Sequence, residues 1–128
     1  MPPAATTLGW ELVGADTEAG TIEVAFTANR SLTNPMGNVQ GGFLAAMLDD
    51  TLGPALAATL GPGRFAITLE LKVSFLRPAQ PGRLVGRGRI VYRGGSIAFL
   101  EGSLANSEGV TVATATATAR VISTELTA

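Results

Sequence analysis

One stretch decides the fold of this chain: Asn34-Pro-Met-Gly-Asn-Val-Gln-Gly-Gly-Phe-Leu-Ala-Ala-Met-Leu-Asp-Asp-Thr-Leu-Gly-Pro54. It contains the only good helix candidate in a sequence that otherwise alternates as strands do. The helix is predicted to begin near Gln40 and to end by the strong stop Gly61-Pro62-Gly63. Because Pro54 lacks an N–H and its ring crowds the carbonyl of Asp50, we expect a kink or an end at that point.

Strand patterns stand on both sides of this helix. Two strands precede it, and after it apolar and polar residues alternate without error from Ile67 to Phe75, the clearest strand in the chain. All predicted strands are 10–15, 21–28, 67–75, 83–92, 97–106 and 110–122. One enclosed helix with one antiparallel sheet predicts a single α+β domain over residues 1–128, in which the sheet wraps the helix. Residues 1–8 are expected to form a flexible tail.

Composition excludes several classes of protein. With 46 % hydrophobic and 15 % charged residues, the 128-residue chain is compact rather than disordered. A net charge of −1 argues against a nucleic-acid surface, which needs a basic stripe. Asp49 and Asp50 interrupt the longest apolar run before it reaches the roughly 18–20 residues of a membrane span. No secretory signal is visible, so we expect a cytoplasmic protein without membrane or nucleic-acid partners.

The chain contains neither histidine nor cysteine, and this limits its chemistry. Nucleophiles of the Ser-His-Asp and Cys-His types are excluded, and so are cysteine-based metal sites and ordinary zinc sites. Any catalysis must therefore use carboxylates, hydroxyls, amides and backbone dipoles. We expect no metal and no bound cofactor.

The two carboxylates of the helix lie on different faces. Asp49 shares its face with very small side chains at helical spacing, namely Gly42, Ala45, Ala46 and Gly53. Asp50 points roughly the other way, on the face of Phe43 and Met47. A flat face of small residues lets a ligand or another helix approach closely, so Asp49 is the candidate functional carboxylate. The alternative is that the pair is simply solvated, as most such pairs are.

The start of the helix offers hydrogen-bond donors. The first N–H groups of a helix have no partner within it, and the helix dipole is positive there. In Gln40-Gly41-Gly42, the glycines let a carbonyl oxygen come close to those donors, which would stabilise an oxyanion. The simpler alternative is a loop that only leads into the helix.

The spacing of these two features predicts an oligomer. Gly41 and Asp49 are eight residues apart, or roughly 12 Å along a helix that rises about 1.5 Å per residue. One carbonyl group cannot touch both, because reacting partners lie within about 3–3.5 Å of each other. A two-fold dimer with antiparallel helices would bring Gly41 of one chain beside Asp49 of the other.

These residues resemble a known family. Asn34-x-x-Gly37-x-x-Gln40-Gly41-Gly42, followed by Leu48-Asp49 and then Thr68-Leu-Glu-Leu-Lys-Val-Ser-Phe-Leu-Arg-Pro-Ala79, is similar to the PaaI-type acyl-CoA thioesterases of the hotdog fold. The likeness covers roughly Trp10 to Ile122. It implies one long helix wrapped by a curved antiparallel sheet, homodimers joined edge to edge, and frequent tetramers as dimers of dimers.

The resemblance also implies roles for particular residues. Asp49 matches the essential carboxylate, either general base or nucleophile, and Gly41 matches the oxyanion donor. Asn34 matches an amide that orients water or the carboxylate, and Thr68 matches an assisting hydroxyl. By the same analogy, coenzyme A of the substrate lies near the Arg77-Pro78 turn and near the hairpin Arg93, Gly94, Gly95 and Ser96. The acyl pocket is expected beside Gly42, Phe43 and Met47. Each arginine has a surface charge as its simpler interpretation, Asn34 a turn, and Gly94-Gly95 a plain hairpin.

One position departs from the family pattern. The family usually has His-Gly-Gly where this chain has Gln40-Gly41-Gly42. A glutamine side chain still donates a hydrogen bond to a carbonyl, but it cannot carry the charge of an imidazole. The expected function is hydrolysis of an acyl- or aroyl-CoA thioester to the free acid and CoA. The alternative is a non-catalytic protein that binds acyl-CoA or an acyl carrier protein on the same fold.

Overall fold

The architecture is a six-stranded antiparallel sheet curved around one long helix. The computed structural model describes residues 1–124. Its elements are α1 (Pro3–Leu8), β1 (Glu11–Asp16), β2 (Thr21–Ala28), a short 3-10 helix (Arg30–Leu32), α2 (Gly41–Ala57), β3 (Arg64–Phe75), β4 (Gly82–Arg93), β5 (Ile97–Ala105) and β6 (Thr111–Ser123). The strand order is β1-β2-β4-β5-β6-β3, so β1 and β3 are the two edges. The predicted α+β fold is confirmed.

Helix α2 begins at Gly41, directly after Gln40, as the sequence predicted. It does not end at Pro54 but continues to Ala57. Its apolar residues on one side pack against the concave face of the sheet; the buried residues of α2 are Leu44, Met47, Leu48, Thr51, Leu52, Ala55 and Leu56. Neither α1 nor α2 is long and apolar enough to cross a bilayer, and the same holds for any helix within residues 1–124.

Glycines in the middle of the sheet let α2 lie close to it. Gly88 and Gly102 face Leu52, and an added Cβ would lie 2.9 Å and 2.8 Å, respectively, from Leu52 Cδ2. At Gly86, an added Cβ would collide with the Oγ1 of buried Thr51, which itself donates to the Met47 carbonyl. The depth at which the helix sits is therefore set by residues without side chains.

The N-terminal segment differs from the expected flexible tail over residues 1–8. It forms the six-residue helix α1, in which Ala5 and Leu8 are buried. Gly9 ends this helix in the left-handed conformation, with φ of +67°, and its N–H donates to the Thr6 carbonyl. The Pro/Ala/Thr composition hid these two apolar contacts, because one buried turn leaves no periodicity to detect.

Candidate active site

Asp49 is held by a hydroxyl from the edge strand β3. On β3, the residues opposite the buried alanines of β6 face the helix, and Thr68 is one of them, opposite Ala119. Its Oγ1 donates a 2.8 Å hydrogen bond to Oδ1 of Asp49. Within residues 1–124, the second carboxylate oxygen of Asp49 has no hydrogen-bond partner. The carboxylate is thus oriented from one side and exposed on the other.

The start of α2 presents free N–H donors. The Gln40 carbonyl accepts from the N–H groups of Phe43 and Leu44, at 2.9 Å and 3.3 Å. The N–H groups of Gly41 and Gly42 have no acceptor in the part of the chain that the structure describes. The Gln40 side chain does not cap the helix, and it is exposed. The positive end of α2 is therefore open to an oxygen atom of a ligand.

The loop before α2 is tied to the rest of the chain. The Gln40 N–H donates to the Leu32 carbonyl, and the Val39 N–H donates to the Ala79 carbonyl, both at 2.8 Å. A third bond, also of 2.8 Å, joins Gln80 Nε2 to Asn38 Oδ1. These bonds fix where the first turn of α2 lies relative to the turn between β3 and β4.

A groove of about 330 Å³ lies beside this first turn. It brings together two of the predicted site residues with the predicted Arg77-Pro78 turn; its lining is Asn34, Asn38, Val39, Gly41, Leu44, Phe75, Leu76, Arg77, Pro78 and Ala79. The Phe75 ring packs against Gly41, where an added Cβ would lie 3.3 Å from Phe75 Cζ. Gly41 therefore leaves room for an aromatic wall beside the free N–H groups. Asp49 does not line this groove.

Asn34 is engaged within its own loop. Its Oδ1 accepts hydrogen bonds from the N–H groups of Met36, at 3.0 Å, and Asn38, at 3.2 Å. This is the turn that the sequence offered as the simpler interpretation. The side-chain oxygen is therefore occupied, and its amide nitrogen is the group through which Asn34 can contact a ligand.

The remaining predicted residues fall into two groups at opposite ends of the sheet. Phe75, next to Arg77, pairs with Ala113, whereas Ala98, next to the hairpin 93–96, pairs with Ala119. Six residues of β6 separate those positions, or roughly 20 Å at about 3.4 Å per residue. Arg77 thus lies at the Gly41 end, and the hairpin lies at the Asp49 end. One chain does not bring the two groups together.

The predicted site side chains also differ in accessibility. Arg77 donates to the Thr111 carbonyl at 2.7 Å, and Arg93 donates to the carbonyls of Gly94 and Gly95. Phe43 is half-buried and Gly42 is exposed. Met47 is fully buried in the core against the sheet, so it does not reach the face of Asp49.

Asp50 occupies a different environment from Asp49. Its carboxyl is half-buried. Burial raises the pKa of the Asp50 carboxyl above its ordinary value of 3.8, and the neighbouring charge of Asp49 raises it further. Its backbone carbonyl accepts a 2.8 Å hydrogen bond from Nε1 of Trp10. This contact is not predictable from the sequence, because nothing local links residues 40 positions apart.

A larger groove, of about 970 Å³, lies on the outer face of the sheet. Its charged walls are largely neutralised by two ion pairs, Arg87–Glu23 at 2.8 Å and Arg89–Glu101 at 2.6 Å. Thr68 and α2 lie on the inner face, so this groove does not contain the candidate site. The smaller groove at Gly41 is therefore the better candidate.

The edge strand β3 is open on one side and apolar. It pairs only with β6 among the strands of residues 1–124. Large exposed side chains follow it and the turn after it: Phe65, Ile67, Leu69, Phe75 and Leu76. An open edge with apolar side chains is a surface on which another strand can pair.

Comparison with known proteins identifies the family. The profile of the Thioesterase superfamily matches residues 36–113, which is more than half of the chain. The chain belongs to this family. The hotdog fold and the resemblance to PaaI-type thioesterases are confirmed, and the family is one of thioester hydrolases.

Individual relatives agree with this assignment. A candidate thioesterase from Ralstonia eutropha JMP134, described as a phenylacetic acid degradation-related protein, has a crystal structure with a TM-score of 0.91 and 46 % identity, covering 94 % of this chain and 90 % of that one. A Bacillus halodurans protein crystallised with CoA gives a TM-score of 0.75 at 30 % identity, over 78 % of this chain and 66 % of that one. A candidate esterase from Saccharolobus solfataricus is 27 % identical over 92 residues, which are 72 % of this chain and 65 % of that relative. The match therefore spans slightly less than two thirds of that esterase's length.

Proposed function

We propose that the protein hydrolyses acyl- or aroyl-CoA thioesters to the free acid and CoA, at a site formed by two chains. One observation carries the proposal. The carboxylate of Asp49, oriented by Thr68, and the free N–H groups at Gly41 belong to the same helix but lie about 12 Å apart along it. A two-fold dimer with antiparallel α2 helices would unite the two halves of the site.

The open edge of β3 supports such a dimer. Thr68 lies on this edge strand, so pairing of β3 with its copy would place the partner's chain beside Asp49. The exposed apolar side chains of β3 would then be covered. The same pairing would bring the Arg77 end of one chain towards the hairpin 93–96 of the other, completing a binding site for CoA. A further pairing of dimers into a tetramer is part of this proposal.

The chemistry follows from the groups present. Asp49 takes a proton from water, whose oxygen attacks the thioester carbonyl carbon. The carbonyl oxygen becomes an oxyanion and accepts a hydrogen bond from the Gly41 N–H of the partner chain, a donor worth about 3 kcal/mol in the transition state. The C–S bond then breaks, and the CoA thiolate receives the proton from Asp49. The steps use protein groups and water, without a metal ion or a bound cofactor.

The second route starts from the same carboxylate. Asp49 attacks the carbonyl carbon directly, the C–S bond breaks, and CoA leaves as a thiolate. The mixed anhydride left between the acyl group and Asp49 is then hydrolysed by water, which also supplies the proton to the thiolate. In either route, Gln40 and the Asn34 amide nitrogen are available as additional donors to the substrate carbonyl or to water. Phe75 and Phe43 provide the apolar surface for the acyl group.

Coenzyme A is proposed as the thiol for two reasons. The relative from Bacillus halodurans was crystallised with it. In addition, Arg77 and Arg93 are suited to its phosphates, because a guanidinium group binds phosphate through two parallel hydrogen bonds. We also propose the cytoplasm, where acyl-CoA is formed and used, as the site of action.

A panel of CoA thioesters with short, medium and aromatic acyl groups tests the proposal, with released thiol trapped by a chromogenic disulfide. We expect CoA release from at least one member of the panel. Binding of the thioesters without CoA release would instead favour the non-catalytic alternative.

The two routes differ in the origin of one oxygen atom. In a single turnover in ¹⁸O-labelled water, the general-base route places ¹⁸O in the product acid and leaves Asp49 unlabelled. In the nucleophile route, water that attacks the Asp49 side of the anhydride places ¹⁸O in the carboxylate. Label in the peptide containing Asp49, detected by mass spectrometry, therefore identifies the nucleophile route, because the general-base route never labels this carboxylate.

A further inference from the structure

Proline in α2 leaves one backbone carbonyl without its helical donor. In an α-helix, the carbonyl of residue 50 accepts from the N–H of residue 54. Residue 54 is a proline, which has no N–H, yet α2 continues to Ala57. The carbonyl left without a donor belongs to Asp50, the residue that follows Asp49.

Trp10 supplies the missing donor. Its indole Nε1–H lies 2.8 Å from the Asp50 carbonyl oxygen, in a partly buried position. The bond replaces an intrahelical hydrogen bond with one from the N-terminal segment. An interior proline can therefore be accommodated without an unsatisfied carbonyl.

The position of Trp10 is itself fixed by the end of α1. The Trp10 N–H donates to the Ala5 carbonyl at 2.9 Å, and the Gly9 N–H donates to the Thr6 carbonyl at 3.1 Å. These two bonds form a Schellman motif, with Gly9 in the left-handed conformation. Gly9 also lies against β2, since an added Cβ would be 2.8 Å from Thr27 Cβ. The indole is thus anchored to the fold before it reaches α2.

We propose that Trp10 is a positioning residue for Asp49, an inference that rests on the proposed function. The turn of α2 that contains Asp49 is held at two points. Thr68 of β3 binds the Asp49 carboxylate, and Trp10 of the N-terminal segment binds the backbone carbonyl of the following residue. Without the indole bond, the helix can bend at Pro54, and the bend moves the Asp49 carboxylate relative to the thioester carbonyl. Catalysis is sensitive to such a shift, because the reacting groups must be aligned to within a fraction of an ångström.

Three variants test this proposal: Trp10→Phe, Pro54→Ala and the double variant. Trp10→Phe should lower kcat about tenfold and change KM less than about twofold, because the substrate is bound mainly by other groups. Pro54→Ala restores an N–H at position 54 and should keep kcat within about twofold of the parent. In the double variant, the new N–H binds the Asp50 carbonyl, so kcat should return to that of Pro54→Ala. Hydrogen exchange should show protection of the new backbone amide at position 54 in the double variant.

Asp49→Asn in the same assay separates this inference from the proposed function. If Asp49→Asn keeps full turnover, the catalytic role proposed for Asp49 fails, and the positioning role of Trp10 fails with it. If Asp49→Asn is inactive but Trp10→Phe has an unchanged kcat, the positioning role is overturned. The positioning role is also overturned if kcat of the double variant stays as low as that of Trp10→Phe, since the lower kcat then comes from lost packing rather than from the lost hydrogen bond. If Trp10→Phe does not fold, the inference requires that the double variant folds and hydrolyses the thioester. If neither variant folds, the inference is overturned.

Discussion

Asp49 and Asp50 are neighbours in the sequence, but they face two regions of the molecule that differ in exposure and in the contacts that the chain makes there. The Asp49 side is made of small residues and the open, apolar edge of β3, and it offers the carboxylate one hydroxyl. On the Asp50 side, the carboxyl is half-buried, and Trp10 of the N-terminal segment binds the backbone carbonyl. The chain itself completes the Asp50 side and leaves the Asp49 side incomplete.

This difference separates two functions of one helix. On the Asp50 side, the contacts of the chain hold the helix in place. On the Asp49 side, a carboxylate with one free oxygen among the described residues is left accessible beside the open edge of β3. A reactive group needs such access, whereas a structural group does not. We therefore propose catalysis for the Asp49 carboxylate and a structural role for the Asp50 backbone carbonyl, which Trp10 binds.

The strongest test of this assignment is the pair Asp49→Asn and Asp50→Asn. We expect Asp49→Asn to lower turnover by about 10²–10⁴-fold, the usual contribution of a general base, with an unchanged circular dichroism spectrum. Asp50→Asn is the matched control, one residue away, and should stay within a few-fold of the parent. Equal losses in the two variants would contradict the comparison.

The open edge of β3 gives the second test. In Leu69→Lys, a charge on an interface between β3 strands would cost about 3–5 kcal/mol and weaken the dimer by roughly two to four orders of magnitude. Light scattering should detect monomers, and specific activity should fall on dilution. Leu12→Lys, on the other edge strand, is the control, because Leu12 is 53 % exposed and Leu69 is 56 % exposed. An active Leu69→Lys monomer would disprove the two-chain site.

The hydroxyl of Thr68 gives a smaller effect. Thr68→Val keeps the shape of the side chain and removes the hydrogen bond to Asp49 Oδ1. A hydrogen bond to a charged group contributes about 1.5–3 kcal/mol, so kcat should fall about ten- to hundredfold. Thr116→Val, on the exposed outer face of β6, should have no effect. A kcat of Thr68→Val equal to the parent's would mean that the bond does not orient the carboxylate.

The pH dependence of stability tests the Asp50 side, with the smallest expected effect. The pKa of the Asp50 carboxyl is raised by burial and by the charge of Asp49, so the folded chain binds this proton more tightly than the unfolded chain. Its contribution to stability therefore decreases as pH rises above 3.8. Asp50→Asn should be more stable than the parent at pH 7, by less than about 1 kcal/mol for a half-exposed group.

Urea unfolding at pH 3 and pH 7 measures this difference. The advantage of Asp50→Asn should disappear at pH 3, where the carboxyl is protonated in both states. An advantage that is the same at both pH values would point to packing rather than to ionisation.

The sequence predicted more of the fold than of the candidate site. Alternation from Ile67 to Phe75 and the helix after Gln40 were predictable because their signals are periodic and local. The separation of Gly41 from Asp49 follows from helix geometry alone and was the basis for predicting a second chain. The role of Thr68 came only from the family resemblance, since a threonine within a strand has no distinguishing local pattern.

Other features depend on contacts between distant residues. Gly86, Gly88 and Gly102 are unfavourable residues for strands, and only their register beneath α2 explains them. The vacant carbonyl at Asp50 was predictable from Pro54, but the donor that fills it was not. Helix α1 was missed because its buried face consists of two residues, Ala5 and Leu8.

Trp10 is the only tryptophan in the chain. Its emission therefore arises from a single fluorophore whose ring nitrogen is bound one residue away from Asp49. Intrinsic tryptophan fluorescence would report, without any label, on that turn of α2 during folding, subunit association and occupation by a ligand, on the order of nanoseconds to hours. Trp10 is therefore a natural fluorescent probe next to the candidate catalytic carboxylate of Asp49.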